Sequence, residues 1–128
     1  MRHQDTTEKI IGCFYDVYNE LGPGYLESVY QNSLAIVFKD RNIANTREAP
    51  LVVTFRGQSV GEFRADFLVE GKIIVELKAM QALSPVHDAQ LINYLKVTGL
   101  SVGLLLNFGA KAEVKRRVLG PMNPPLSV

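Results

Sequence analysis

The spacing of apolar residues changes near the middle of the chain, and this change limits the possible folds more than any other feature of the sequence. Up to about residue 39, apolar side chains such as Phe14, Val17 and Leu21 recur at helical spacing. From Pro50 onward, β-branched and aromatic residues with a period of two are typical of strands. The chain is therefore predicted to pack helices against a sheet in an α/β fold.

Two helices are predicted before the change. The first is expected over about 6–21, with Asp5 as its N-cap. The Gly-Pro-Gly segment at 22–24 ends it, because proline cannot continue the helical hydrogen-bond ladder. The second helix is expected to follow at once and to reach about Lys39, and the polar residues at 40–45 predict a loop.

A three-stranded antiparallel meander is predicted next. Its strands are expected at about 50–56, 60–69 and 72–79, with turns at 56–59 and 70–71. Because side chains alternate along a strand, the second strand is predicted to place one set of apolar residues on a single face. That set is Phe63, Ala65, Phe67 and Val69.

The remaining sequence predicts a crossover. Ser84 and Pro85 begin a third helix that is expected to run to about Thr98, and the apolar segment 102–108 predicts a buried strand. A helix between two strands implies that they pair in parallel, so the sheet is predicted to be mixed. A short amphipathic helix is predicted over 110–119.

Length, charge and cysteine content limit the classes of function. The 128 residues fit one domain over 1–128, with 120–128 as an extended tail. The formal net charge of +1 gives no strong global field for nucleic acid or a membrane, so anion binding must be local. Cys13 is the single cysteine, and no apolar segment is long enough to span a membrane, so a cytoplasmic protein that binds no membrane is predicted. An exposed strand edge and the apolar tail also predict a homodimer.

Two carboxylates and an amine are predicted to converge in the meander. Glu76 and Lys78 are two positions apart and share one face of the third strand, and the turn at 70–71 can bring Asp66 beside them. Carboxylate oxygens are the ligands that Mg²⁺ prefers, and the lysine can orient a water or stabilise charge on a phosphate.

A simpler interpretation of these three residues is a solvated strand face with cross-strand charge pairs. The same face carries Leu68 and Ile74, which favours a covering helix, and charged groups under a helix need partners or a metal ion. Both interpretations stay open on the spacing alone.

Several further side chains have a structural interpretation beside a functional one. On the third helix, His87, Gln90 and Tyr94 form one stripe that could overhang the carboxylates, or could only satisfy each other and the backbone. Glu27 is favoured in a first helical turn by the helix dipole alone. Cys13 is predicted to be a small buried hydrophobic residue rather than a nucleophile.

Four segments occur in an order that resembles a known nuclease family. They are Gly24-Tyr25-Leu26-Glu27-Ser28-Val29-Tyr30, Asp66, Glu76-Leu77-Lys78 and Gln90-Leu91-Ile92-Asn93-Tyr94. Together they resemble the small GxxExxY family of the PD-(D/E)XK nuclease superfamily, over about residues 5–118. Gln90 and Tyr94 also resemble the Q-x-x-x-Y motif of RecB-like and lambda-exonuclease-like members. The resemblance implies a restriction-endonuclease-like core.

The resemblance also implies a metal site. Asp66 and Glu76 would bind the divalent ion, Mg²⁺ or Mn²⁺, with the Leu77 carbonyl as a further ligand. Glu27 would complete the shell of the metal or of the attacking water.

Other residues are implied to act on the water and the nucleic acid. Lys78 would act on the attacking water, and Gln90 and Tyr94 would steady the site or contact the nucleic-acid backbone. Arg64 lies near the site and would add a phosphate contact. A partner in a larger complex would supply further phosphate contacts, because the obvious basic cluster is limited to Lys111, Lys115, Arg116 and Arg117.

The first hypothesis is therefore a Mg²⁺-dependent nuclease that hydrolyses phosphodiester bonds in DNA, with RNA as a second substrate class. The alternative is a non-catalytic nucleic-acid-binding or protein-interaction module that keeps the nuclease fold. A cysteine or serine hydrolase has little support, because no nucleophile is placed beside a plausible histidine base.

Overall fold

Three helices and five strands form within residues 3–120, the part of the chain that the computed structural model describes. In chain order they are α1 (Gln4–Leu21), α2 (Glu27–Asp40), β1 (Asn45–Phe55), β2 (Gln58–Val69), β3 (Ile73–Lys78), α3 (Pro85–Thr98), β4 (Val102–Phe108) and β5 (Ala112–Val118). The predicted tail beyond Gly120 lies outside the described residues.

The strands form one mixed sheet in the order β1-β2-β3-β4-β5. β3 and β4 are parallel, and every other neighbouring pair is antiparallel. A parallel pair needs a crossover connection, and α3 supplies it. The predicted meander, crossover helix and parallel fourth strand are therefore confirmed.

Helices cover both faces of the sheet. The face under α1 and α2 holds the larger buried cluster, which includes Phe14, Tyr30, Leu34, Phe38, Phe67, Val75, Leu77, Leu104 and Phe108. The face under α3 holds a smaller one, made of Ala49, Leu51, Ala65, Ile74, Leu91, Tyr94, Leu95 and Leu105. β4 is buried along its whole length because it contributes to both clusters.

The side-chain alternation of β2 breaks at Asp66. Ala65 packs into the cluster under α3, whereas Phe67 and Val69 pack into the cluster under α1 and α2. On the neighbouring strand, Glu48 has a φ of 51°, a left-handed conformation that interrupts a regular strand. The prediction of one shared apolar face on β2 is therefore wrong, and the interruption lies at a candidate site residue.

The segment predicted as a helix over 110–119 is instead the edge strand β5. It pairs antiparallel with β4 from Phe108↔Ala112 to Val102↔Val118. Without β5, this edge of the buried β4 would leave backbone groups without hydrogen-bond partners, and that requirement outweighs the helical propensity of the segment.

Two boundaries also differ from the sequence-based prediction. α1 begins at Gln4 with His3 in the N-cap position, so Asp5 lies inside the helix and is not its cap. β1 begins at Asn45, earlier than residue 50, because its pairing with β2 continues to Asn45↔Val69.

Candidate functional site

β2 and β3 separate next to Asp66. Their register runs from Val69↔Ile73 to Phe67↔Val75. Beyond that point the Asp66 side chain bridges the strands, since its Oδ2 accepts a hydrogen bond of 2.7 Å from the Leu77 N–H. The carboxylate of Asp66 is therefore held beside the segment that carries Glu76 and Lys78, as the sequence predicts.

Gln31 holds the same carboxylate from α2. Its Nε2 donates to Asp66 Oδ1 at 3.0 Å and to Glu48 Oε1 at 3.2 Å, while its Oε1 accepts from Arg47 Nη2 at 2.8 Å. Sequence reasoning missed Gln31. The available signal was its position, one helical turn after Glu27 on the same helix.

Glu76 is buried beside Asp66. The residue is 7% exposed, and its Oε1 has no hydrogen-bond partner among the described residues. Burial and, to a smaller extent, the charge of Asp66 raise the pKa of Glu76, and Lys78 lowers it, with a net pKa of about 9. The carboxyl therefore holds a proton at neutral pH when no cation is bound.

Lys78 and Glu27 lie at the rim of this pair. Burial raises the pKa of the Glu27 carboxyl, Lys78 lowers it, and Asp66 raises it again, although Glu27 as a whole residue is exposed. Lys78 is half-buried and lowers the pKa of both Glu27, on α2, and Glu76, on its own strand β3, so its ammonium acts on acids from two elements. The charged groups thus form one cluster.

A small open cavity of about 200 Å³ lies over this cluster. Its lining comes from α2, β1 and β2, namely Glu27, Ser28, Gln31, Glu48 and Asp66. Three of these five residues are acidic, so the cavity suits a cation or the polar groups that a cation would bring with it.

Tyr94 of α3 lies near the carboxylates of Glu76 and Asp66. It is buried, and burial raises the pKa of its hydroxyl, with further increases from the charges of Glu76 and Asp66. Gln90, one turn earlier on α3, is exposed and lines a groove together with Tyr94. Of the predicted pair, Tyr94 is therefore near the carboxylates, and Gln90 lies farther out in the groove.

The loop before α2 is fixed by Tyr30. Its hydroxyl donates to the Gly22 carbonyl at 2.6 Å and accepts from the Tyr25 N–H at 3.2 Å. Its ring stacks on Phe108 with centroids 4.1 Å apart. Tyr30 therefore anchors the turn that precedes Glu27, which gives the glycine-to-tyrosine segment a structural reason for its composition.

The other candidate residues lie at the margins. Arg64 is exposed, donates to the Glu48 carbonyl at 3.2 Å and lies 3.7 Å from Glu62. His87 caps α3, because its Nδ1 accepts from the Ser84 N–H at 3.1 Å. Cys13 is fully buried, and burial raises the pKa of its thiol, so the prediction of a small buried residue at this position is confirmed.

Asn107 is a second residue that sequence reasoning missed. It is fully buried, accepts from the Met80 N–H at 3.0 Å and donates to the Met80 carbonyl at 3.0 Å and to Glu113 Oε1 at 2.9 Å. These bonds fix the chain just after Lys78. The adjacent Gly109 has no room for a side chain, because a Cβ would meet the Met80 carbonyl oxygen at 2.3 Å.

The donor set fits a divalent ion in its chemistry. Within residues 3–120, no group of three or more His, Cys, Asp or Glu residues is placed so that together they could hold a metal ion. The buried, unpartnered Oε1 of Glu76 beside Asp66 is nevertheless the kind of oxygen that a cation would satisfy. Mg²⁺ commonly uses one or two carboxylates and takes its remaining ligands from water and substrate phosphate, so two protein ligands suffice.

Comparisons with known proteins identify a superfamily and a similar fold. A family model described as the PD-(D/E)XK nuclease superfamily matches residues 4–118. A solved structure entitled "Crystal structure of SSO0001" is similar in fold, with a TM-score of 0.58 at 19% sequence identity over 76% of this chain. The matched region is 52% of that structure, so this chain spans about half of its length. No curated protein is significantly similar in sequence.

None of the helices within the described residues has the length and apolar character needed to cross a membrane.

Proposed function

The chain belongs to the PD-(D/E)XK nuclease superfamily, and from that premise we propose that it hydrolyses phosphodiester bonds in DNA with the help of Mg²⁺ or Mn²⁺. The two carboxyls of Asp66 and Glu76 are the proposed ligands, with the Leu77 carbonyl and Glu27 as further contributors. RNA is the second substrate class.

The observation that carries the proposal is the state of Glu76. A carboxyl that is 7% exposed, has an unpartnered oxygen and lies beside a second acid is costly for folding alone. Such an arrangement is typical of functional sites, where a ligand or metal ion supplies the missing partner. A bound divalent ion would neutralise charge on the phosphate oxygens and lower the pKa of a water.

The proposed roles of the side chains follow from their contacts. Asp66 is held from two sides, by the Leu77 N–H and by Gln31, so its oxygens are oriented before any ligand arrives. Lys78 carries a positive charge between Glu27 and Glu76, where it can orient the attacking water and stabilise negative charge on the phosphate.

Tyr94, Gln90 and Arg64 are proposed to hold the substrate. The Tyr94 hydroxyl lies near the two carboxyls and can donate to a phosphate oxygen, while Gln90 and Arg64 lie farther from them. A cytoplasmic location, a homodimer and a larger complex belong to the same proposal. The buried single thiol of Cys13 supports the first, because nothing in the chain calls for an oxidising compartment.

A cleavage assay with matched variants tests the proposal. Purified protein is expected to nick circular DNA or shorten linear DNA with Mg²⁺ or Mn²⁺ and to stop when EDTA is added. Asp66→Ala and Lys78→Ala are each expected to lower the rate at least ~100-fold, in line with losses of positioned catalytic groups. Glu62→Gln is the control, since it removes an exposed acid from the same strand as Asp66.

Equal cleavage by the wild type and both active-site variants would mean that a contaminant cuts the DNA. Absence of cleavage by any form, together with unchanged melting temperature in Mg²⁺, would favour the non-catalytic binding module instead.

A further inference from the structure

A groove of about 320 Å³ lies between α3 and the β1–β2 hairpin. One wall is Phe63 of β2, whose ring lies 5.5 Å from that of Tyr94 at an angle of 43°. Val86 and the amides of Gln90 and Asn93 line the groove from the exposed side of α3. Phe63 is 44% exposed, so a large aromatic face is left open to solvent at this point.

The chemistry of the lining is specific. The exposed ring of Phe63, supported from behind by the buried Tyr94, offers a stacking surface, and the primary amides of Gln90 and Asn93 offer both hydrogen-bond donors and acceptors. The combination matches the needs of an unpaired nucleobase, which stacks through its flat face and forms hydrogen bonds through its edge. The remaining lining residues, Val86, Ala89 and Val97, give the groove an apolar floor against which the flat face of a base can pack.

The groove is continuous with the carboxylate cluster. Tyr94 belongs to both, because its ring lines the groove and the charges of Glu76 and Asp66 raise the pKa of its hydroxyl. Phe63 and Asp66 are also three residues apart on β2, about 10 Å along an extended strand, so a nucleotide adjacent to a phosphate bound at Asp66 is in a position to reach Phe63.

The low net charge of the chain also favours an unpaired nucleobase in the groove. Backbone binding of a duplex by many phosphate contacts requires a strongly basic surface, whereas this chain has a formal charge of +1. Single-strand binding adds the stacking of bases on aromatic side chains to the contacts between cations and phosphates. The groove supplies the stacking that a nearly neutral protein needs.

We propose that this groove holds an unpaired nucleobase next to the cleaved phosphate, so that the protein selects single-stranded DNA or unpaired ends over an intact duplex. The inference rests on the proposed nuclease function. Phe63 stacks on the base, and the amides of Gln90 and Asn93 bind its edge.

Binding measured without cleavage tests this inference separately. Fluorescence anisotropy in EDTA compares a short labelled DNA strand with the blunt duplex that it forms with its complement. The wild type is expected to bind the single strand at least about fivefold more tightly. Phe63→Ala is expected to weaken single-strand binding about tenfold or more and to leave duplex binding within about twofold. Phe63→Tyr retains the ring and restores binding.

Phe55→Ala is the matched control, because Phe55 is an exposed phenylalanine near the tip of the same hairpin and outside the groove. Equal affinity for strand and duplex, undetectable single-strand binding, or equal losses in Phe63→Ala and Phe55→Ala would overturn the inference. Metal-dependent cleavage without any effect of Phe63→Ala would support the nuclease proposal and contradict the proposed role of the groove. Single-strand binding that depends on the Phe63 ring, without cleavage, would support the role of the groove and contradict the nuclease proposal.

Discussion

The two faces of the sheet are built from different kinds of side chain. Under α1 and α2 the buried cluster is large and rich in aromatic rings, and the rings of Phe14 and Tyr30 each contact Phe108. Under α3 the cluster is smaller, and Glu76 lies buried near Tyr94 at its edge. The face under α1 and α2 therefore contributes mainly to stability, whereas the face under α3 buries fewer apolar side chains and holds a polar site.

This difference predicts opposite responses to mutation. Changes in the buried cluster under α1 and α2, apart from Tyr30, which anchors the turn before Glu27, should lower the free energy of unfolding without a specific effect on the site. Changes near Glu76 should alter cleavage or metal binding more than stability, and some should increase stability.

The largest effect on stability is expected from Phe38→Ala. Phe38 is fully buried, and its ring lies 5.1 Å from that of Phe67 in an edge-to-face arrangement. Losing this ring is expected to cost about 3–5 kcal/mol in chemical denaturation. Tyr94→Phe on the opposite face is the control. It should cost less than about 1 kcal/mol while cleavage falls, and similar stability losses in the two variants would remove the distinction between the faces.

The second prediction concerns the pH dependence of stability. The pKa of Glu76 is about 9 in the folded protein and near 4.5 when unfolded, so between these values the folded state holds a proton that the unfolded state releases. Stability is therefore expected to fall as pH rises from about 5 to 9, with a loss of roughly 5–10 °C in melting temperature between pH 6 and 8.5.

Glu76→Gln should flatten that profile and melt higher than the wild type at pH 8.5, although it cannot bind a metal ion as a carboxylate does. Saturating Mg²⁺ should raise the melting temperature of the wild type alone. Identical profiles for the two proteins would contradict the buried, protonated state of Glu76.

A smaller effect on stability is expected from Asn107→Ala. The substitution leaves the Met80 N–H and carbonyl without their side-chain partner, which costs about 1–3 kcal/mol. Because Asn107 fixes the chain just after Lys78, kcat should fall more than KM rises. Asn93 is an exposed asparagine on α3, so Asn93→Ala should leave the free energy of unfolding unchanged. An equal loss of stability in Asn93→Ala and Asn107→Ala would show that the burial of Asn107 is not the cause.

The smallest effect on stability is expected from Gln31→Ala. The residue is half-buried and donates to Asp66, so its loss should cost about 1 kcal/mol or less. Cleavage should require more Mg²⁺ for half-maximal rate, because Asp66 loses one of the two bonds that orient it. The control Asn32→Ala changes the next residue of the helix, which does not contact Asp66. An unchanged Mg²⁺ requirement in Gln31→Ala would exclude the positioning role.

Much of the fold could be predicted from the sequence, because the apolar period and the turn residues act locally. α3 was predicted with its bounds from Ser84, Pro85 and the glycine after Thr98, and β4 from its continuous apolar run. β5 could not be predicted from propensity, since its strand conformation depends on pairing with the edge of β4. The interruption of side-chain alternation at Asp66 could not be predicted from the sequence of β2 either, because it depends on the backbone conformation of Glu48 on another strand.

The candidate site was predictable to a similar extent. The meander and the two-residue spacing of Glu76 and Lys78 were enough to place these residues near Asp66. Gln31 and Asn107 were not predictable, because each acts through a partner far away in the sequence, and their amides carry no charge or motif that indicates a function.

Mn²⁺ titration by isothermal calorimetry at pH 7.5, repeated in buffers of different ionisation enthalpy, tests the central claim most directly. If a cation replaces the proton on Glu76, the wild type should bind one ion and release close to one proton, and Asp66→Asn should bind none. Glu76→Gln should release no proton. Absence of binding to the wild type, or binding that releases no proton and is equal in all three proteins, would contradict a metal site between Asp66 and Glu76.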